Sequence, residues 1–283
     1  MNIGFIGLGS LGKAIAGRLI AEGVSLSIWN RTKAKAEGFG ASLASSPMEL
    51  ITQNDLVAIC LSDSKAVDEV LAGDKGLLKS NISGKIIIDH TTNHFESVSE
   101  FHRLVRSKGG FYLEAPVLGS VIPASKGLLT ILVSGDESKY REMLPYFEKI
   151  GKNIFYLSEP SLATKMKLVN NLVLGNFMAV IAEALATAET CGIPKEQVLE
   201  ILSKGAGDST VLNGKREKLL KEDFSPHFSS AMIYKDLHYL QDLARQLKRP
   251  LWTGSMVKEI FGMTFRDKIE NDDFSGIYRI FKQ

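Results

Sequence analysis

The chain has 283 residues, of which 45% are hydrophobic and 23% charged, and its 34 basic and 32 acidic residues leave a formal charge of +2. Such a chain is long enough for two ordinary domains and can bury a large core without staples. The near-balance of charge predicts neither a nucleic-acid footprint nor a polybasic membrane patch.

In chain order, Asn2 to Ile6 reads as a strand, Leu11 to Ala21 as a helix, and Val24 to Asn30 as a second strand. Leu56 to Leu61 and Lys85 to His90 are short, β-branched apolar runs of the kind buried on both faces of a parallel sheet. "FYLEAPV" and "LLTILVSG" add two more strands, and the strand-bearing region is expected to end near Ile154 to Leu157. Alternating β and α elements predict an α/β, Rossmann-type doubly wound sheet over residues 1–160. After Pro160 the strand pattern stops. Ser161 to Cys191 reads as one long helix, with Gly192 and Pro194 marking its end. Further helical patterns follow at Lys195–Lys204, Lys215–Lys221, Ser229–Leu247 and Gly254–Asp267. Residues 161–283 are therefore expected to form an all-α domain for substrate binding and oligomerisation, joined through that long helix. The helix is apolar from Leu168 to Ala182 but carries Asn170, Asn171 and Asn176, which suits a buried helix better than a membrane span. It needs a partner surface, and a homodimer or homotetramer is expected.

Cys60 and Cys191 lie in apolar stretches, with no partner at metal-ligand spacing. Both are expected to be buried, reduced thiols in a cytoplasmic protein. The histidines form no ligand-spaced set, so no metal is assigned. With a glycine motif almost at Met1, no signal peptide of the usual form is expected.

That motif is "GFIGLGSLG", with G-x-G-x-x-G at Gly7, Gly9 and Gly12, and it sits between a strand and a helix in a strand–turn–helix–strand unit. In this context Gly7 permits the tight turn, Gly9 admits a pyrophosphate to the backbone, and Gly12 lets helix and strand pack closely. The helix N-terminus then meets the phosphates. The whole turn, including Leu8, Ser10 and Leu11, is assigned to a dinucleotide. The end of the second strand says which one. An NAD site normally has a carboxylate there for the ribose 2′-hydroxyl. Here the residues are Asn30, Arg31 and Thr32. No carboxylate repels a phosphate, and Arg31 offers a planar fork for one, so NADP(H) is preferred over NAD(H). The alternative is that Arg31 is an ordinary solvated residue.

With "WNRT", "DHTT", "EAPVLGS", "KMKLVNN", "YKDL" and "DDFSG" following in order, the sequence resembles the β-hydroxyacid dehydrogenases over nearly its whole length. "NRT" and "EAPV" look most like the NADPH-dependent glyoxylate/succinic semialdehyde reductase branch. The resemblance implies that Lys167 is the catalytic lysine and Asn171 its partner one helical turn later, both touching substrate. It implies that Thr92 lies near the nicotinamide ribose, that Leu61 and Ser62 cover the cofactor, and that Lys235 lies near the cofactor. It makes Leu118, Gly119 and Ser120 the substrate-carboxylate loop. Two departures stand out: many members have Ser-Gly-Gly where this chain has Leu118, Gly119 and Ser120, and His90 and Thr91 replace the commoner residues before Thr92.

The chemistry is coherent apart from the resemblance. Residues four apart on a helix share a face, and a lysine in so apolar a helix needs a polar cleft, a partner or a depressed pKa. Such a lysine can protonate the alkoxide left by hydride transfer. Spacing alone also allows a snorkelling Lys167, and makes Lys235 and Asp236 an exposed pair. The expected reaction is reduction of a small carboxylate-bearing aldehyde or keto acid, glyoxylate or succinic semialdehyde, with Lys167 as general acid. The alternatives are a 3-hydroxyisobutyrate-type dehydrogenase acting oxidatively and a non-catalytic NADP(H)-binding module.

Overall fold

The computed structural model describes residues 1–282. The chain divides into two compact units, Met1–Lys167 and Leu168–Gln283.

In the first unit, β1 (Ile3–Ile6), β2 (Leu26–Trp29), β3 (Ser42–Leu43), β4 (Leu56–Ile59), β5 (Ile86–Asp89) and β6 (Phe111–Glu114) form one parallel sheet in the order β3-β2-β1-β4-β5-β6. The helices α1 (Ser10–Ala21), α2 (Pro47–Gln53), α3 (Ser64–Ala72) and α4 (Phe95–Ser107) connect them. The strand order reverses between β1 and β4. The carboxyl ends of these strands are where such sheets bind ligands.

Both sheet faces are covered, which explains the unbroken apolar runs. Phe5, Leu56 and Ala58 pack with Ile15, Ala16 and Leu19 of α1. Their strand neighbours Ile6, Val57 and Ile59 point the other way, into a cluster with Leu50, Val67, Val98 and Phe101 from α2, α3 and α4. Each fully buried aliphatic side chain contributes about 1.5–3 kcal/mol.

"FYLEAPV" is not one strand. β6 stops at Glu114, and β7 (Val117–Leu118) pairs antiparallel with β8 (Leu129–Val133), which pairs in parallel with β9 (Gly151–Tyr156) in a second, three-stranded sheet. Pro116 has no N–H for a ladder, so the chain changes sheets there. Its carbonyl still accepts from Leu132 N–H at 3.1 Å. The loop after β7 contains a short helix, α5 (Val121–Ser125), and α6 (Glu137–Ile150) joins β8 to β9.

The long helix, α7 (Leu162–Thr190), starts within the first unit, so compactness puts the unit boundary later than the texture change at Pro160. It ends where Gly192 takes a left-handed φ of 83° and Ile193 N–H reaches back to the Ala188 carbonyl at 3.0 Å. Its most apolar stretch is 44% buried, so one face is covered and another is not.

In the second unit, α8 (Lys195–Lys204), α9 (Thr210–Lys221), α10 (Ser230–Gln246), α11 (Trp252–Arg266) and α12 (Tyr278–Phe281) follow. α9 begins before Lys215 because Ser209 caps it, its hydroxyl accepting from Leu212 N–H at 3.0 Å. A buried ion pair holds α9 to the "DDFSG" segment: Lys215 Nζ lies 2.8 and 2.9 Å from the two Asp273 carboxylate oxygens.

The cysteine expectation holds for one residue only. Cys60 follows β4 and is buried, and desolvation pushes its thiol up to about 12. Cys191 is exposed, because it sits where the chain leaves α7.

Candidate active site

The glycine turn has the geometry that its spacing predicts. Gly7 has φ of 98°, and a Cβ there would lie 2.1 Å from the Cys60 carbonyl oxygen. A Cβ on Gly12 would lie 1.9 Å from the Gly7 carbonyl oxygen, so only glycine lets α1 start so close to β1. Gly9 is different: a Cβ there would meet nothing within 4 Å. The turn is therefore open at Gly9. Gly9 also precedes α1 without any side-chain cap, so first-turn N–H groups are available to an anion. This open, uncapped turn fits a pyrophosphate.

The three residues after β2 have distinct roles. Asn30 is part of the scaffold: its Oδ1 accepts from Leu8 N–H at 2.8 Å and its Nδ2 donates to the Thr32 carbonyl at 2.8 Å. Leu8, whose N–H is committed to Asn30, is 1% exposed and serves the turn's packing. Arg31 is the charged residue of the three. Its side chain is 80% exposed and only 3.9 Å from the Glu69 carboxylate, a contact too exposed to hold it. Thr32 is exposed beside it.

The next strand ends are joined by a buried polar network. Asp89, the last residue of β5, accepts from Thr91 N–H at 2.8 Å, from Asn93 Nδ2 at 2.8 Å and from the Tyr112 hydroxyl at 2.6 Å. Burial pushes its carboxyl up from the usual range while these donors pull it down. Thr91 Oγ1 in turn accepts from Leu61 N–H at 3.0 Å, which places the Leu61–Ser62 loop. Thr92 is half-buried next to it. His90 is also structural. It bonds the Ala115 carbonyl through Nδ1 at 2.8 Å and the Tyr146 hydroxyl through Nε2 at 2.9 Å. Because a carbonyl only accepts, Nδ1 must donate, and Nε2 accepts from tyrosine. Desolvation lowers the ring to about 4, so it is neutral near pH 7.

Beyond β6 lies the loop of Leu118, Gly119 and Ser120. Leu118 is half-buried in register with Thr130, Gly119 is exposed and Ser120 is half-buried before α5. Lys167 lies in the second turn of α7 and is 7% exposed. So apolar a setting means that its ammonium interacts with polar groups.

In the second unit, Asn171 is fully buried. Its Nδ2 donates to Asp236 Oδ2 at 2.6 Å, and its Oδ1 accepts from Asn170 Nδ2 at 3.2 Å. Lys235 Nζ lies 2.9 Å from Asp236 Oδ1 and over the Tyr239 ring. Asp236 thus touches both Asn171 and Lys235, two residues expected at the site, where spacing alone makes it an exposed partner of Lys235. It is 1% exposed, on the α10 face that buries Ile233, Leu237 and Leu240. The legible signal is that helical periodicity with those three residues.

A family model described as the NAD-binding domain of 6-phosphogluconate dehydrogenase matches residues 2–158. A second, described as the NAD-binding region of NADP-dependent 3-hydroxyisobutyrate dehydrogenase, matches residues 162–281. The chain belongs to the β-hydroxyacid dehydrogenase family. Within the family, it is similar to the 3-hydroxyisobutyrate dehydrogenase of Mycobacterium tuberculosis, solved with L-serine, at 25% identity and TM-score 0.87 over 100% of this chain and 99% of that one. It is similar to Psf3, solved with NADP+ and 2-OPP, at 26% identity and TM-score 0.91 over 98% and 99% of the two chains. It is also 34% identical over 283 residues to the cytokine-like nuclear factor N-PAC of Gallus gallus, covering 99% of this chain and 51% of that protein. The chain spans about half the length of the curated relatives it matches. The family models and the NADP+ complex of a structural neighbour support a nicotinamide-dinucleotide-binding fold, and the turn that is open at Gly9 has the geometry such folds use for phosphate.

Proposed function

We propose that this β-hydroxyacid dehydrogenase is a cytoplasmic, NADPH-dependent reductase of a small aldehyde or keto acid that bears a carboxylate. Glyoxylate and succinic semialdehyde are the leading substrates. The observation that carries the reading is a buried Lys167 one helical turn before Asn171, whose amide Asp236 holds at 2.6 Å.

A bound nicotinamide supplies the hydride. The chain's own residues supply position and charge. The Lys167 ammonium holds at Nζ the proton that the reduced carbonyl oxygen needs, and it stabilises negative charge as that charge develops. In the oxidative direction the neutral amine takes the proton back. Asn171 has one N–H committed to Asp236, and in this reading its second N–H donates to a substrate oxygen. The Leu118–Ser120 loop supplies backbone N–H groups for the substrate carboxylate, with Leu118 favouring a short apolar body next to it. The exposed Arg31 reads the 2′-phosphate. The same groups serve a 3-hydroxyisobutyrate-type oxidation.

The similarity to proteins named as nuclear factors supports a second reading, a non-catalytic NADP(H)-binding module. Initial rates of NADPH and NADH oxidation with glyoxylate, succinic semialdehyde and methylglyoxal separate the two, together with Lys167→Ala. The reductase reading expects kcat to fall by about 10²- to 10⁴-fold in that variant while NADPH affinity is retained. Equal turnover in wild type and variant would sink it. NADPH binding with no turnover on any of the three would favour the module.

A further inference from the structure

The first turn of α7 is capped mainly from outside its own neighbourhood. Ser161 precedes the helix with φ of 70°, in the left-handed region, and its hydroxyl is shared with Ser99 Oγ at 2.7 Å. Leu162 N–H reaches the Glu159 carbonyl at 3.2 Å, but the N–H groups of Ser161, Ala163 and Thr164 go to side chains distant in sequence. Glu114, the last residue of β6, is 1% exposed and accepts from Ser161 N–H, from Thr164 N–H at 2.9 Å and from the Thr164 hydroxyl. Ser134, just past β8, is fully buried and accepts from Ala163 N–H at 3.0 Å through Oγ. His102 Nε2 lies 3.8 Å from the same carboxylate.

Ala163 and Thr164 are the residues four and three before Lys167, so they form the turn directly beneath it on the same helix face. A carboxylate at a helix N-terminus satisfies orphan donors and complements the helix dipole. Here it also ties one turn of helix to the carboxyl end of β6, the edge that carries the glycine turn and the Asp89 network.

We propose that Glu114 is a positioning residue for Lys167, with Ser134 as its accessory: the carboxylate locks the turn that sets where the ammonium stands. This rests on the reductase reading for its kinetic consequence, but not for its structural one. Glu114→Gln is nearly isosteric and puts an NH2 where one acceptor stood, while Glu114→Asp keeps the charge on a shorter arm. Hydrogen exchange across residues 161–168 is measured on the wild type and both variants, with NADPH affinity, kcat, KM and the rate at which an amine-acylating reagent labels Lys167. In Glu114→Gln, exchange at Ser161 and Thr164 is expected to accelerate about 10-fold or more, as for a lost helix-end hydrogen bond. NADPH affinity should hold within about twofold, and kcat should fall about 10- to 100-fold with a smaller change in KM, as for a misplaced catalytic group. Glu114→Asp should recover part of kcat. Faster exchange with unchanged kcat and unchanged Lys167 labelling would reduce the cap to plain stability and overturn the proposal, and unchanged exchange would overturn the cap itself. If the wild type turns over none of the substrates, the reductase reading fails alone. The labelling rate then decides: a shift of about threefold or more supports positioning, and no shift overturns it.

Discussion

At the residue scale, burial decides which polar groups do chemistry and which hold the frame. His90 stands beside the candidate site yet is fixed by Ala115 and Tyr146, and its ring is held at about 4 against 6.5 for a free histidine. As pH falls, the unfolded chain takes up the proton first, so folding loses free energy between pH 6.5 and 4. The neutral ring's contribution is complete above that window. Asp89, with its carboxyl pushed up, acts in the opposite sense over its own range, so total stability is the wrong quantity to compare. The useful one is the difference between wild type and His90→Gln in urea unfolding. That difference should shrink by about 2 to 3 kcal/mol from pH 7.5 to pH 4.5. A difference that stays constant would show that the buried ring does not titrate this way.

At the scale of elements, the β1–α1 turn separates two kinds of glycine. Gly12→Ala drives a methyl group into the Gly7 carbonyl, a backbone atom that cannot step aside. We expect about 1–3 kcal/mol of lost stability, the cost of overpacking. Gly9 has φ of −68° and open space around its Cβ position. Gly9→Ala should therefore leave stability within about 0.5 kcal/mol of wild type, the usual range for a surface change. It should still weaken NADPH binding, because the methyl group fills the approach of the phosphate. Urea unfolding and fluorescence titration with NADPH read the two effects separately. Wild-type affinity in Gly9→Ala would mean that the pyrophosphate does not pass there.

At the scale of the whole molecule, the long helix shows what the isolated chain leaves exposed. Met166, Val169, Val173, Phe177 and Val180 of α7 are 41–62% exposed. Their spacing puts them on one face, and an exposed apolar stripe of that length marks an association surface. We expect a homodimer or homotetramer in sedimentation at micromolar concentration. Phe177→Glu should shift it toward smaller species with NADPH binding kept. A wild-type monomer at that concentration would remove the oligomer from the proposed function.

What depends on local spacing is legible in the chain alone. Three glycines at fixed intervals between a strand and a helix dictate a tight turn that is open at Gly9, and Gly192 with Pro194 ends α7, because both effects act over a few residues of backbone. Lys167 and Asn171 are one turn apart for the same reason. What depends on strand order and burial emerges with folding. Glu114 reads as one more residue of an apolar strand until β6 brings it under α7. Asp236 reads as an exposed partner of Lys235 until α10 turns it inward to Asn171. Asn30, a candidate ligand by position, becomes a brace of the turn once Leu8 lies against it. Cys191 looks buried in sequence and is exposed because the helix ends there. Each of these outcomes rests on a contact between distant residues or on a helix end, and a hydrogen bond across such a distance leaves no periodic mark on the chain that makes it.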